Sequence, residues 1–327
     1  MTAARPTVLL TGATGVIGTN LLTSLAAHYE VTALVHRRRP ERAGNCLQAD
    51  LTSDGLGLTT GQYGELAAGI DAIVHCAGLT DFAPPDLTAF DQVNAEGTRR
   101  ILELAEAARV PVLLLSSAAA AFEVPGEDLV ARSMRAYSRS KRRAEELAAQ
   151  SSQSVAVVRA ALLFAARNAV RAPRRQFPHA LLTALLQDRP GGLPVHPDHW
   201  VDILPMESLV DYLTALTGAL LRGDATAPGL HWVTAGPARL TAADLERACL
   251  DFLQEAGRPA QGPLLADPAT ARPRTHGMAR IAQLGFLPPE QPALPTHLDR
   301  LLPSQPTRAE VLDALAHTVR CCAPWAP

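Results

Sequence analysis

One loop near the start of the chain constrains its fold more than any other feature, and it reads Thr11-Gly12-Ala13-Thr14-Gly15-Val16-Ile17-Gly18. The apolar run 8–10 precedes it, and a helical pattern over 16–27 follows. In this strand–loop–helix order, Gly12 allows a tight turn, Gly15 lets the backbone approach a pyrophosphate, and Gly18 lets helix and strand pack closely. The phosphates would then lie at a helix N-terminus, where free N–H groups favour negative charge. The loop therefore predicts a bound dinucleotide, and the alternative is a glycine turn without a ligand.

The end of the second predicted strand indicates which dinucleotide binds. The β-prone run 30–35 leads into His36, Arg37, Arg38 and Arg39, and no carboxylate stands at this strand end. An acidic residue there would bind the 2′-hydroxyl of NAD, whereas arginine suits the 2′-phosphate of NADP. We therefore predict that His36, Arg37 and Arg38 contact NADP. A solvated basic turn is the alternative, and we prefer it for Arg39.

Two further strand ends are predicted to border the same ligand. Asp50 and Leu51 follow a predicted strand over 45–49, and the Asp50 carboxylate either binds the adenine amino group or caps the next helix. The buried run 72–78 ends in three small residues, which let the backbone approach the nicotinamide or its ribose: Cys76, Ala77 and Gly78. His75 is predicted to be a packed or capping residue rather than a catalyst.

The order of the predicted elements indicates the fold class. Strands and helices alternate as far as the strand at 155–159, which favours a doubly wound parallel sheet, the Rossmann type of α/β fold. We predict that residues 1–164 form the NADP-binding core. Residues 165–327 would mainly form a smaller C-terminal substrate lobe, with 201–235 returning to the core.

Three side chains supply a second constellation. Ser117 ends a predicted central strand, and Tyr137 and Lys141 lie four residues apart on one face of the next helix. A phenol has an ordinary pKa of ~10, and the Lys141 ammonium together with the positive nicotinamide of an oxidised cofactor would favour the phenolate and lower that pKa. Tyr137 could then donate a proton to a carbonyl oxygen while Ser117 stabilises the developing charge. An exposed helix face carrying a Tyr and a Lys by chance is the alternative.

Composition excludes several other classes of protein. A formal net charge of −2 with no basic patch predicts no nucleic-acid partner, and no apolar stretch is long enough for a membrane span. The five scattered cysteines lack metal-ligand spacing, so no metal site is predicted, and they fit a reducing cytoplasm. We also expect no signal peptide ahead of the first strand. The sequence thus predicts a cytoplasmic protein.

Taken together, these motifs resemble the extended branch of the short-chain dehydrogenase/reductase superfamily, which includes the NAD-dependent epimerases and dehydratases. The matching positions are Thr11 to Gly18, Asp50-Leu51, Val93-Asn94 with Gly97-Thr98, Ser116-Ser117, Tyr137 with Lys141, Val158 to Phe164, and Val201 to Met206. The resemblance implies a nicotinamide-dependent oxidoreductase with a catalytic triad of Ser117, Tyr137 and Lys141. Asn94, Tyr137 and Lys141 would also contact the cofactor.

Within this branch, the segments at 75–82 and around Asn94 look most like thioester-reductase and dihydroflavonol-reductase relatives. The relatives often carry Arg-Pro and Gly-Pro where this chain has Arg159-Ala160 and Ala165-Ala166, so the substrate loop differs from theirs. Candidates for the pocket lining, with ordinary core as the preferred alternative, are Phe82, Phe164, Phe177 and Trp200. Relatives pair through the helices at 97–108 and 137–149, which makes a homodimer the expected assembly.

Three functional hypotheses follow. The first is an NADPH-dependent ketoreductase that transfers hydride to a ketone or aldehyde of a small, polyketide-like metabolite of secondary metabolism, with Tyr137 as general acid. The second is a nucleotide-sugar epimerase or dehydratase that holds NAD and regenerates it within one cycle. The third is a non-catalytic NADP-sensing regulator, against which the intact triad argues.

Overall fold

The fold is built on one sheet of seven parallel strands. The computed structural model describes residues 5–40, 44–80, 86–169, 176–187, 192–260, 262–268 and 285–325. The strands are β1 (Thr7–Thr11), β2 (Glu30–Val35), β3 (Asn45–Gln48), β4 (Ala72–His75), β5 (Val112–Ser117), β6 (Val155–Ala160) and β7 (Gly229–Val233). Their order across the sheet is β7-β6-β5-β4-β1-β2-β3. This order confirms the predicted doubly wound parallel sheet, in which ligands bind beyond the carboxyl ends of the strands.

Helices cover both faces of the sheet, which is why its strands are apolar almost throughout. The helices are α1 (Val16–Ala26), α2 (Thr60–Ala68), α3 (Gly97–Ala108), α4 (Leu129–Ala149), α5 (Phe177–Leu186), α6 (Met206–Leu221), α7 (Ala242–Glu255) and α8 (Arg308–Cys322). Helices α1 and α6 pack on one face through Leu21 and Leu213. Helices α2, α3 and α4 pack on the other, where Ile101 and Ala144 are buried. The central strand residue Leu9 is 0% exposed between these two layers.

The helix α3 is entered through an unusual turn. Residues Thr88–Phe90 are helical and continue through a π-helical segment, Asp91–Glu96, directly into α3. The sequence predicted the helix through Ala108 but not the π-helical segment. Such segments are rare and often lie at functional sites, because they rotate the side chains that follow.

The C-terminal part of the chain packs around an apolar cluster of its own. Helices α5, α7 and α8 bury Leu182, Leu245 and Leu315 against one another. Capping boxes begin two of these helices, at Thr241 for α7 and at Thr307 for α8. Strand β7 returns to the main sheet and pairs with β6. The division of the chain at residue 164 remains a prediction.

The pocket-lining candidates lie in the core where the structure describes them. Phe164, Phe177 and Trp200 are between 0% and 8% exposed, and the indole N–H of Trp200 donates to the carbonyl oxygen of Pro288 at 3.0 Å. Phe82 lies outside the described residues. Burial of the three aromatic rings in protein supports the alternative interpretation that they are ordinary core.

Several bulk features bear on the remaining predictions. All five cysteines are free thiols. Across the described ranges, no helix has both the length and the apolar character needed to cross a membrane, and no three His, Cys, Asp or Glu side chains are grouped to hold a metal ion. Arg143 lies on one of the two helices expected to form a homodimer. It forms ion pairs with Asp91 and with Glu96 of the π-helical segment, and the Arg143–Glu96 distance is 2.8 Å. The homodimer remains a prediction.

Candidate active site

The glycine loop has the backbone geometry that close approach to a phosphate requires. Gly12 has a φ of +74°, and a Cβ atom there would lie 2.6 Å from the amide nitrogen of Ala77. A Cβ atom on Gly18 would overlap the carbonyl oxygen of Gly12. The N-cap residue of α1, Gly15, makes no side-chain cap, so the N–H groups of the first turn have no side-chain acceptor. The loop residues Thr14, Gly15, Val16 and Ile17 are exposed or half-buried at this helix end, and they fit a dinucleotide pyrophosphate.

Thr11 is turned into the protein and joins β1 to the loop after β4. Its hydroxyl is 1% exposed, lies 2.7 Å from Nδ1 of His75, and accepts a hydrogen bond from the amide of Ala77 at 3.1 Å. His75 is itself 1% exposed, which agrees with the predicted packed histidine. Burial, with the nearby Lys141 ammonium, lowers the pKa of His75 to about 3. The pair therefore positions the backbone of Cys76, Ala77 and Gly78 with a neutral imidazole.

Asn94 performs a similar positioning function from the π-helical segment. It is 2% exposed, accepts a hydrogen bond from the amide of Leu79 at 2.7 Å, and donates to the carbonyl of Leu79 at 3.1 Å. Its amide also donates to the hydroxyl of Ser140 on α4 at 3.0 Å. A Cβ atom on Gly78 would lie 3.1 Å from Oδ1 of Asn94 and 3.2 Å from Nζ of Lys141. The chain at Gly78 is thus held directly against the predicted catalytic lysine.

The adenosine end of the site is open and basic. His36, Arg37 and Arg38 are exposed at the end of β2, and the described residues provide no carboxylate in contact with either arginine. The Asp50 carboxylate accepts hydrogen bonds from the amide of Thr52 at 2.8 Å and its hydroxyl at 2.7 Å. These bonds close a local turn, since the N-cap residue of the short helix that follows (Asp54–Gly57) is Ser53 and not Asp50, and the contact of Asp50 with adenine stays a prediction.

Leu51, the neighbour of Asp50, packs on α3. A Cβ atom on Gly97 would lie 3.3 Å from Cβ of Leu51, so glycine at 97 gives the side chain its room. Leu51 therefore lies between the edge of the sheet and the start of α3.

Ser117, Tyr137 and Lys141 meet beyond the carboxyl end of β5, as the sequence predicted. The hydroxyl of Tyr137 is hydrogen-bonded to Ser117. The phenol ring is 8% exposed and packs edge-on against Phe90, with ring centroids 5.8 Å apart. Burial raises the pKa of Tyr137 and the hydrogen bond to Ser117 lowers it, with a net rise. The predicted lowering of this pKa involves the Lys141 ammonium together with the positive nicotinamide of a bound cofactor, and it stays a prediction.

Lys141 is buried to 7% exposure and donates a hydrogen bond to the carbonyl of Leu115 at 3.1 Å. Burial lowers its pKa to about 8, against the opposing effects of Cys76 and Glu145. It is the only lysine in the sequence, where every other basic residue among the 30 is an arginine. A chain that replaces lysine with arginine everywhere else keeps it at this position. That sequence signal supports a site-specific function for Lys141.

The sequence did not predict a polar cluster behind the triad. Ser116 precedes Ser117 on β5, and its hydroxyl donates to Oε1 of Glu145 at 2.5 Å. Glu145 also pairs with Arg159 at 2.6 Å. The spacing of Glu145 four residues beyond Lys141 was the available signal, since it places both side chains on one helix face.

Together, the glycine loop, the switch in strand order between β1 and β4, and the Ser-Tyr-Lys cluster define a dinucleotide-binding α/β enzyme of the short-chain dehydrogenase/reductase type. A sequence model of the NAD dependent epimerase/dehydratase family matches residues 8–216. The chain belongs to that family, whose members depend on a nicotinamide cofactor.

The relatives include both reductases and epimerases. A ceramide reductase of Caulobacter vibrioides (strain NA1000 / CB15N) is 33% identical over 159 residues, which make up 48% of this chain and 46% of that protein. The chain therefore matches less than half the length of this curated relative. The terminal R domain of the myxalamid PKS-NRPS pathway has a TM-score of 0.69 at 18% identity, covering 99% of this chain and 93% of that one. The UDP-glucuronic acid 4-epimerase of Bacillus cereus, solved with NAD, has a TM-score of 0.65 at 16% identity, covering 98% and 100%.

Proposed function

We propose that this protein is a cytoplasmic reductase that uses NADPH to reduce a ketone or aldehyde of a small, polyketide-like metabolite. The observation that carries the proposal is the Tyr137 hydroxyl, which is hydrogen-bonded to Ser117 with the Lys141 ammonium one helical turn away. The Lys141 ammonium lies close to Gly78, where a Cβ atom would come within 3.2 Å of Nζ, and the small residue lets the backbone approach a flat ligand. The ceramide reductase and the terminal R domain among its relatives support reduction as the reaction.

Each member of the triad has a separate task in this reaction. A bound NADPH supplies the hydride to the carbonyl carbon. Tyr137 donates its phenolic proton to the carbonyl oxygen, and its raised pKa keeps that proton in place at neutral pH. Ser117 donates a hydrogen bond to the same oxygen and stabilises the charge that develops on it. Lys141 binds the nicotinamide ribose and favours the tyrosinate left after proton transfer.

The preference for NADPH depends on the adenosine end. Arg37 and Arg38 are exposed at the strand end where the ribose of a dinucleotide lies in this fold. Their guanidinium groups match the geometry of a 2′-phosphate, and the end of β2 offers no acidic residue to bind a 2′-hydroxyl. His36, Thr14 and the first turn of α1 complete the surroundings of the phosphates.

The second candidate is a nucleotide-sugar epimerase or dehydratase that holds NAD. The match to the epimerase/dehydratase family model over residues 8–216 favours it, because the same triad serves oxidation followed by reduction. The two candidates differ in whether the cofactor is consumed. A reductase requires stoichiometric NADPH, whereas an epimerase regenerates a retained NAD.

The test measures loss of NADPH absorbance with a panel of ketones, aldehydes and carrier-bound thioesters. We expect turnover with NADPH by the wild-type protein, and a loss of about 10²- to 10⁴-fold for Tyr137→Phe because the general acid is removed. Tyr63→Phe on α2 is the matched control and should keep wild-type turnover, since Tyr63 lies outside the triad.

Two results would contradict the proposal. Full turnover by Tyr137→Phe would remove Tyr137 from catalysis. Release of tightly bound NAD from the denatured wild-type protein, together with redox-neutral conversion of a nucleotide sugar, would establish the epimerase instead.

A further inference from the structure

Glu145 lies one turn beyond Lys141 on α4 and connects this helix to two strands of the sheet. Its Oε1 accepts a hydrogen bond from the Ser116 hydroxyl on β5 at 2.5 Å. Both of its oxygens pair with Arg159 on β6, with donor–acceptor distances of 2.6 to 3.2 Å. The side chains of Arg159 and Glu145 are only 17% and 11% exposed, and the guanidinium lies 5.0 Å from the ring centroid of Trp232. The carboxylate is thus held by one hydroxyl and one guanidinium group.

The contact with Ser116 comes at the point where β5 meets the triad. On one side of Ser116, the carbonyl of Leu115 accepts a hydrogen bond from Lys141 at 3.1 Å. On the other side, Ser117 is hydrogen-bonded to Tyr137. Three consecutive residues of β5 therefore contact three different turns of α4, and the Ser116 contact with Glu145 attaches the strand at the turn farthest from Tyr137.

The electrostatic surroundings of Lys141 give Glu145 a second effect. From the β4 side, Lys141 faces His75 and Cys76. Burial lowers the pKa of His75 to about 3 and raises the pKa of Cys76 to about 12, so both are uncharged near pH 7. On α4 itself, burial raises the pKa of Tyr137, which is also uncharged there.

The other groups packed around Lys141 carry no unpaired negative charge that would favour its ammonium form. The π-helical segment presents the neutral amide of Asn94, and β5 presents a carbonyl and two hydroxyls. The acidic side chains of that segment, Asp91 and Glu96, pair with Arg143. Among the described groups that act on Lys141, Glu145 is therefore the carboxylate whose charge favours the ammonium form, from one helical turn away in a region where water screens little.

We propose that Glu145 is a positioning residue of the active site, which fixes α4 on β5 through Ser116 and keeps the Lys141 ammonium protonated through its negative charge. Arg159 holds the carboxylate in place and offsets part of that charge. The inference rests on the proposed function, in which Lys141 must be a cation to bind the ribose and stabilise the tyrosinate.

The single lysine allows a direct test that needs neither substrate nor cofactor. Protein grown with ¹³C-labelled lysine gives one Cε resonance, and its shift against pH reports protonation of Lys141 alone. We expect a wild-type midpoint of about 8. Glu145→Gln keeps the shape but removes the charge, and should lower the midpoint by about one pH unit.

Two further variants separate charge from structural support. Arg159→Gln also breaks the ion pair but leaves the Glu145 charge unshared, so it should raise the midpoint. Glu146→Gln, the adjacent exposed residue on α4, should leave the midpoint within about 0.2 units because water screens its charge.

The direction of the two shifts decides the result. An unchanged midpoint in Glu145→Gln, or a downward shift in both Glu145→Gln and Arg159→Gln, would overturn the proposal, since loss of packing alone moves both variants alike. If Glu145→Gln does not fold, the direction of the shift in Arg159→Gln decides alone. If the wild-type protein reduces no carbonyl compound, the proposed function is wrong. The titration of Lys141 would still show whether Glu145 acts on its charge, because that measurement needs neither substrate nor cofactor.

Discussion

Replacing Lys141 with methionine should make the protein more stable at neutral pH while removing its activity. Burial lowers the pKa of Lys141 from 10.5 to about 8. That difference corresponds to a cost of about 3 kcal/mol for holding the charged amine in the folded protein at pH 7. Methionine fills a similar volume without a charge, but it loses the hydrogen bond to the carbonyl of Leu115, a loss of about 1 kcal/mol. The net gain in the free energy of unfolding is about 2 kcal/mol at pH 7.

The gain in the free energy of unfolding on replacing Lys141 with methionine should become smaller as the pH rises. Because the pKa is lower in the folded state, the unfolded chain binds more protons between pH 8 and pH 10.5, so the contribution of Lys141 to stability rises across that window. The advantage of Lys141→Met should therefore shrink from about 2 kcal/mol at pH 7 to under about 1 kcal/mol at pH 9.5.

The assay is urea unfolding of both proteins at these two pH values, followed by circular dichroism. Arg139→Met, at an exposed position on the same helix, is the matched control and should show no pH-dependent difference from the wild type. A Lys141→Met protein that is destabilised equally at both pH values would refute the reasoning, because it would mean that the buried amine carries no charging cost.

Two further predictions concern the cofactor. Gly12→Ala should weaken NADPH binding by more than about 10-fold, because its φ of +74° is strained for alanine and the new Cβ would press on the Ala77 amide. Fluorescence titration measures this, with Gly64→Ala on α2 as the control and unchanged affinity as the contrary result. The double change of Arg37 and Arg38 to alanine should raise the KM for NADPH at least about 10-fold and leave the KM for NADH unaltered, since each lost phosphate contact costs about 1.5 kcal/mol or more. Arg39→Ala serves as its control, and equal effects on both cofactors would exclude recognition of the 2′-phosphate.

Local sequence patterns were sufficient to predict the sheet and the position of the triad. The glycine loop fixed the first strand and helix, and β2 spans the predicted range Glu30–Val35. The four-residue spacing of Tyr137 and Lys141 placed both on one face of α4. These features depend on neighbours in sequence, so the periodicity of one segment is enough to predict them.

The polar cluster behind the triad could not be predicted in the same way. Ser116 and Ser117 look equivalent in sequence, but successive residues of a strand point in different directions, and only Ser117 contacts Tyr137. The pairing of Glu145 with Arg159 depends on the packing of α4 across β6. The raised pKa of Tyr137 in the protein alone could not be predicted for a related reason, because the extent of burial follows from tertiary packing and not from spacing.

The choice of lysine at position 141 follows from the space around it. Its Nζ would be 3.2 Å from a Cβ atom on Gly78, and its donor is directed to the carbonyl of Leu115. An arginine fork presents five N–H donors in a fixed plane, and this confined site could not satisfy them all. Arginine would also stay charged at every pH at which the protein folds, whereas the Lys141 ammonium responds to the charges around it. The one lysine in an arginine-rich chain thus stands where a compact cation is required, and Glu145 is the carboxylate whose charge favours that cation, so its removal should change the titration of Lys141.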